Sequence, residues 1–109
     1  MGERTADVQP GDLGETLRSL CALIAQRHEE LPEGSYTTRL LTEPLDYPLK
    51  KLNEESTELL LAIKDGDHEH IRYEAADLVY HLLVVLQRVG VSPEELAGEL
   101  NARATHTHK

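Results

Sequence analysis

The sequence has no Phe, no Trp, four Tyr and a single Cys in 109 residues. A lone thiol cannot close a disulfide within the chain, which makes a reducing compartment the simpler expectation. Cys21 falls among Leu17, Leu20 and Ile24 and reads as a core residue rather than a nucleophile. With so few aromatic rings there is little for nucleobases to stack on. Positive charge is also short: 11 Lys and Arg stand against 20 Asp and Glu, a formal net charge of −9. That argues against a general nucleic-acid surface and against an anionic membrane surface, since both need an excess of positive charge. The longest apolar run, 82–86, is far too short to span a bilayer, and no secretory signal is visible at the start. A soluble, cytoplasmic, single-domain protein is expected, with neither nucleic acid nor membrane as a partner.

What the chain does have is acid in a pattern. The stretch 50–77 begins Lys50-Lys51-Leu52-Asn53-Glu54-Glu55-Ser56-Thr57-Glu58, breaks at Asp65-Gly66-Asp67, and reaches Glu74-Ala75-Ala76-Asp77. Wound at about 100° per residue, Glu58 lies about 40° and Glu55 about 100° from Glu54. Leu49, Leu52, Leu59, Leu60 and Ile63 occupy roughly the opposite arc. This helix is therefore expected to carry its acids on one side and its core on the other. In the next helix the apolar residues from Ile71 to Val89 go most of the way round, as in a buried helix. Glu74 and Asp77 nevertheless sit in it at i and i+3, with His81 one turn further along the same strip. Carboxylates are almost never buried without a partner, because desolvating an unpaired charge costs on the order of several kcal/mol. Something cationic is expected opposite them.

Two acid strips on consecutive helices joined by a tight turn face each other in an antiparallel hairpin. Five carboxylates in one small space raise one another's pKa unless a cation is present. Oxygen donors of this kind suit Mg²⁺, or Mn²⁺, rather than zinc. The competing reading is a hairpin stitched by Lys50, Lys51 and Arg72 to these acids. On the residues alone both readings stand.

The rest of the chain divides into a flexible arm at 1–11, one all-α domain at 12–104 and a flexible tail at 105–109. Asp12 caps a first helix that Pro32 stops, expected at about two thirds the length of the central pair. Ser35 caps a short second helix, and Pro48 marks the start of a long third one after Asp46. Gly66 ends that helix and Asp67 caps the next. Gly90 ends the fourth, and Ser92-Pro93-Glu94-Glu95 starts the last with a capping box. Ser35 and Thr37 read either as capping hydroxyls or, with Arg39 one turn on, as a phosphate site at a helix N-terminus. Lys51 lies inside the acid arc, Lys50 just outside it. His81 either satisfies the core or contacts a ligand, and Tyr80, pointing away from the strip, reads as a packing residue.

Glu54-Glu55-x-x-Glu58, fifteen residues, then Glu74-x-x-Asp77 resembles the metal motif of the all-α, MazG-like nucleotide pyrophosphohydrolases. Pro32-Glu33-Gly34-Ser35-Tyr36-Thr37, Lys50-Lys51 and Glu74-Ala75-Ala76-Asp77-Leu78-Val79-Tyr80-His81 resemble, within that superfamily, the phosphoribosyl-ATP pyrophosphatase family. The resemblance covers about residues 17–100; Asn53 stands where that family usually has Gly. It implies hydrolysis of phosphoribosyl-ATP to phosphoribosyl-AMP and pyrophosphate, an early step of histidine biosynthesis. It also implies Mg²⁺ (or Mn²⁺) held by Glu54, Glu55, Glu58, Glu74 and Asp77, with Glu55 orienting or deprotonating the attacking water. Substrate contacts would come from Ser35, Tyr36, Thr37, Arg39, Lys50, Lys51 and His81. The expected fold is a helical bundle built round the hairpin. A helix apolar nearly all round in so small a chain, and the resemblance too, imply a homodimer or higher homo-oligomer. The rival functions are a house-cleaning nucleoside triphosphate pyrophosphohydrolase with the same acids, and a non-catalytic helical interaction module.

Overall fold

A computed structural model describes Thr5 and residues 7–105, and these form five α-helices with no strand among them. In chain order they are α1 (Leu13–Glu30), α2 (Tyr36–Thr42), α3 (Asp46–Asp65), α4 (His68–Val89) and α5 (Pro93–Ala104). The all-α expectation is borne out. The arm expected at 1–11 lies outside the described residues at 1–4 and 6, as does the tail at 106–109.

The helix ends are written locally. Asp12 accepts from the Glu15 N–H at 2.9 Å, Ser35 from Thr38 at 3.3 Å and Asp67 from His70 at 3.3 Å. At α5 the capping box is reciprocal: Ser92 Oγ accepts from the Glu95 N–H, and the Glu95 carboxylate accepts from the Ser92 N–H, both at 3.1 Å. Gly66, at φ 78°, takes the left-handed turn that closes α3. Leu31 does the same after α1 at φ 46°, where a residue with a β-carbon is strained by about 1–2 kcal/mol. Pro32, which cannot continue the helix, follows it directly. The 18 residues of α1 compare with 20 and 22 in α3 and α4, so α1 is longer than the two thirds expected.

The core is made where α1, α2 and α4 meet. Ile24, Leu40, Leu41 and Val84 are buried, with Leu20, Tyr47, Tyr80 and Leu83 packed round them. Polar ties fasten the same elements. Gln87 Nε2 lies 2.9 Å from His28 Nδ1, and Arg88 donates to the Leu40 carbonyl at the end of α2 at 3.0 Å. The most extensive packing is between α3 and α4, which are joined by Gly66 and Asp67 alone.

One expectation about α3 holds only in part. The arc that carries Glu55, Pro48 and Ala62 is the buried one. On the apolar arc Leu49, Leu60 and Ile63 face outward, Leu60 at 61% exposed, while Leu52 and Leu59 are half-buried. Helical spacing gives the angle between two faces; it does not say which face turns to the neighbouring helix of the same chain. The helix α5 has no buried residue. No single helix among the described residues is long and apolar enough to cross a membrane.

Leu40 is 1% exposed at the centre of the core. Leu40→Ala is therefore expected to cost about 2–5 kcal/mol in a denaturant melt, from lost transfer energy plus the cavity. A cost below about 1 kcal/mol would show that α2 is not packed as described.

Candidate functional site

The α3–α4 contact buries charge. Glu55 on α3 is 2% exposed, and opposite it on α4 Glu74 is 4% and His81 2% exposed. One oxygen each from Glu55, Glu58 and Glu74 lie within 4.8 Å of one another, and Glu55, Asp77 and His81 form a second such group. Glu55 belongs to both and so stands at the centre. Glu55 Oε1, Glu74 Oε1 and Asp77 Oδ2 are buried with no hydrogen-bond partner among the described residues. Each such atom costs about 1–3 kcal/mol, and more when charged. Three on facing helices make a donor set that a hard divalent cation fits, and whose buried oxygens such an ion would satisfy.

The remaining atoms of these groups are held in place. His70, one turn before Glu74, has its Nε2 3.1 Å from Glu74 Oε2, which leaves Oε1 turned to the cluster. His81 Nδ1 lies 2.7 Å from the Asp77 carbonyl, an acceptor, so this nitrogen carries the proton. Its Nε2 then accepts from the Tyr36 hydroxyl at 2.8 Å. Both ring nitrogens are thus engaged by protein, and the free donors of the cluster are carboxylate oxygens.

Electrostatics follow from this crowding. The Glu55 carboxyl is pushed up from 4.5 to about 8, first by burial, then by the adjoining Asp77 carboxyl and by the charges of Glu58 and Glu74. Glu58 is raised as well, by burial and then by Glu74. The Tyr36 hydroxyl is pushed up to about 12 by burial and by neighbouring Tyr47, Glu55 and Asp77, against a lowering from Arg39. It therefore stays protonated and able to donate to His81. A cleft of about 260 Å³ opens beside Asp77, bounded on α4 by Glu69, Arg72, Tyr73 and Ala76.

Of the five acids expected to hold metal, the structure brings together Glu55, Glu58, Glu74 and Asp77. Glu54 stands outside both groups, 40% exposed, 3.6 Å from Lys51 and 4.0 Å from Lys50. The lysine stitching considered above is therefore realised at Glu54. Among the described residues it does not reach the buried acids, and Arg72 makes no ion pair. Ser35 caps α2, and Thr37, buried at the α2–α4 seam, shares its hydroxyl hydrogen bond with Tyr80. Tyr36 is part-exposed beside the cluster, and Arg39 lies over the ring of Tyr47 at 5.0 Å.

Three residues escaped the sequence reading. His70 had a signal, its i, i+4 spacing to Glu74. Tyr80 packs on the core as expected, but its bond to Thr37 joins residues 43 apart. Tyr47 gathers cations from two helices. The Tyr47–Lys51 contact had a signature, its i, i+4 spacing on α3, whereas Thr37–Tyr80 and Arg39–Tyr47 had none.

Residues 17–104 match the family model described as phosphoribosyl-ATP pyrophosphohydrolase. Among curated proteins, the histidine biosynthesis bifunctional protein HisIE of Bacillus subtilis is 42% identical over 95 residues, 87% of this chain and 46% of its own length. That of Thermus thermophilus is 46% identical over 89 residues, 82% of this chain and 42% of its own. The chain thus spans less than half the length of these bifunctional relatives. The phosphoribosyl-ATP pyrophosphatase of Halobacterium salinarum is 44% identical over 94 residues, 84% of this chain and 99% of its own.

The raised Glu55 carboxyl sets a pH dependence. Its folded pKa of about 8 exceeds the ordinary 4.5, so the fold binds this proton more tightly than the unfolded chain does. That contribution is full below about pH 4.5 and is lost as pH rises through about 8. In EDTA the Tm should fall over this window, and Glu55→Gln should flatten the fall. Mg²⁺ or Mn²⁺ should raise the Tm, more at the alkaline end, because metal and protons compete for the same oxygens. Calorimetric melts that show no metal-dependent shift at any pH would rule out the cluster as a cation site.

Proposed function

Because this chain belongs to the phosphoribosyl-ATP pyrophosphohydrolase family, we propose that it hydrolyses phosphoribosyl-ATP to phosphoribosyl-AMP and pyrophosphate, an early step of histidine biosynthesis. The observation that carries this reading is the set of three buried, unpartnered carboxylate oxygens on facing helices. A protein using these acids as surface charge has no reason to bear that cost.

Glu55, Glu58, Glu74 and Asp77 would hold Mg²⁺ or Mn²⁺, with Glu54 at the edge of the set. Bound there, a divalent cation supplies neutralising charge for a triphosphate and lowers the pKa of water that it coordinates. Glu55, common to both groups of ligand atoms, orients or deprotonates the attacking water. Water adds in line at a phosphorus of the α,β-anhydride, the bridging P–O bond breaks, and the proton passes to Glu55. Tyr36, Arg39, Lys50 and Lys51 contact phosphate or ribose, with Ser35 fixing the start of α2. Thr37 and His81 act from behind, tying that segment to α4.

The α3–α4 pair would be the antiparallel hairpin of a MazG-like bundle that dimerises. Support comes from Leu49, Leu60, Leu61 and Ile63, which are exposed on α3, and from Val79 and Leu82, which are exposed on α4. Covering each such side chain is worth up to about 1.5–3 kcal/mol. The single cysteine fits a cytoplasmic setting.

Pyrophosphate release from phosphoribosyl-ATP should require Mg²⁺ and be abolished by Glu58→Gln and Asp77→Asn. Glu55→Gln should lower kcat by about 10²–10⁴-fold with the fold intact. Turnover of ordinary nucleoside triphosphates in place of phosphoribosyl-ATP would move the protein to the house-cleaning class. Inertness towards all of them, with no metal binding, would leave a helical interaction module. Sedimentation should give a dimer for the native chain and a monomer for the double variant Leu60→Lys, Leu61→Lys; a native monomer at micromolar concentration would overturn the assembly.

A further inference from the structure

In this strongly acidic chain two cations from different helices stand on one ring. The Arg39 guanidinium of α2 lies 5.0 Å from the ring centroid of Tyr47, and the Lys51 ammonium of α3 lies 5.8 Å from the same centroid. Two like charges so placed repel each other. Lys51 is also one turn before Glu55, within side-chain reach of the acid cluster. By charge alone, both cations should fall onto the buried carboxylates.

Several features hold them off. Tyr47 is packed against the core of Ile24, Leu40, Leu41 and Val84, so its ring is a fixed surface. The face of that ring attracts cations. Glu54, which stands outside the cluster, takes Lys51 and Lys50. Arg39 is in no ion pair among the described residues. Glu54 thus meets two lysines, and Arg39 adds a planar donor fork on the ring of Tyr47. The Tyr36 hydroxyl feels both sets of charge, Glu55 and Asp77 of the cluster as well as Tyr47 and Arg39.

We infer that Tyr47 is a positioning residue, whose ring holds Arg39 and Lys51 together as a phosphate clamp that works without metal, beside the acid cluster. The inference deepens the function proposed above and rests on it for the identity of the ligand: a substrate with phosphates beyond those that a cation on the acids neutralises. A guanidinium and an ammonium group gathered on one ring suit phosphate oxygens. Two parts of phosphoribosyl-ATP carry that chemistry, the pyrophosphate end of the triphosphate and the 5′-phosphate of the added ribose.

The test is calorimetric titration of EDTA-treated protein at low salt, with inorganic pyrophosphate and separately with ribose 5-phosphate. The native chain should bind at least one of them. Tyr47→Phe keeps the ring and should stay within about two-fold of the native affinity, whereas Tyr47→Leu should weaken it about five-fold. Arg39→Gln should weaken it as well, and by less when the ring is already gone, because the two act as one unit. Mn²⁺ affinity of the acid cluster, read by electron paramagnetic resonance, should move little in Tyr47→Leu. Binding of pyrophosphate alone assigns the clamp to the leaving end, and binding of ribose 5-phosphate alone to the phosphoribosyl end.

The clamp is overturned if neither probe binds the native chain without metal. It is also overturned if Tyr47→Phe loses as much as Tyr47→Leu, or if Mn²⁺ affinity falls in parallel with anion affinity. If Tyr47→Leu does not fold, Arg39→Gln and Lys51→Gln carry the test, and unchanged affinity in both has the same meaning. These titrations contain no substrate turnover, so a failure of the proposed hydrolysis leaves their outcome intact.

Discussion

Buried carboxylates that face one another across a helix contact must be held against their own repulsion, and most of this small fold is arranged round that contact. The oxygens of Glu55, Glu58 and Glu74 gather within 4.8 Å, and three buried oxygens on α3 and α4 have no partner among the described residues. In the absence of a cation the nearest relief is protonation: burial first, and then the neighbouring carboxylates, drive the Glu55 carboxyl up to about 8. A divalent ion offers the alternative, and loading it replaces protons by metal. The arrangement is costly for folding and useful for chemistry, a combination common where a site is built in advance of its ligand.

What fixes the acids is a set of polar links on α4. His70 takes one oxygen of Glu74, and His81 is turned by the Asp77 carbonyl so that its other nitrogen receives Tyr36. The Tyr36 and Thr37 hydroxyls both reach α4, at His81 and Tyr80, and Arg88 closes the end of α2. The loop before α2 is tied in by Thr38, whose hydroxyl donates to the Pro32 carbonyl at 2.7 Å. A short helix of seven residues, too short to be stable alone, thus acquires a definite position beside the cluster.

Charge of the opposite sign is kept close but separate. Glu54 and the ring of Tyr47 hold the cations that would otherwise neutralise the buried acids and occupy the place of a metal. Adjacent residues of one helix, Glu54 and Glu55, therefore have different surroundings: the first is half-exposed between two lysines, the second almost fully buried among carboxylates. About 100° of helix rotation separates them, enough to move a side chain from solvent to interior.

The sequence by itself determined the local events. Asp12, Ser35, Asp67 and Ser92 cap the helices they precede, and Gly66 and Gly90 end the helices they follow, because caps and left-handed turns depend on a few neighbouring residues. The spacing of Glu55, Glu58, Glu74 and Asp77 likewise put them on strips that can meet. Tertiary structure decided the rest. Periodicity fixes angles within one helix and leaves its rotation against a neighbour open, so it could not tell that α3 turns Glu55 inward and Leu60 outward. Nor could it separate Glu54 from the other acids, join Thr37 to Tyr80, or bring Arg39 over Tyr47. Those contacts depend on which surfaces α2, α3 and α4 bury against one another, and only the packing of the whole chain selects them.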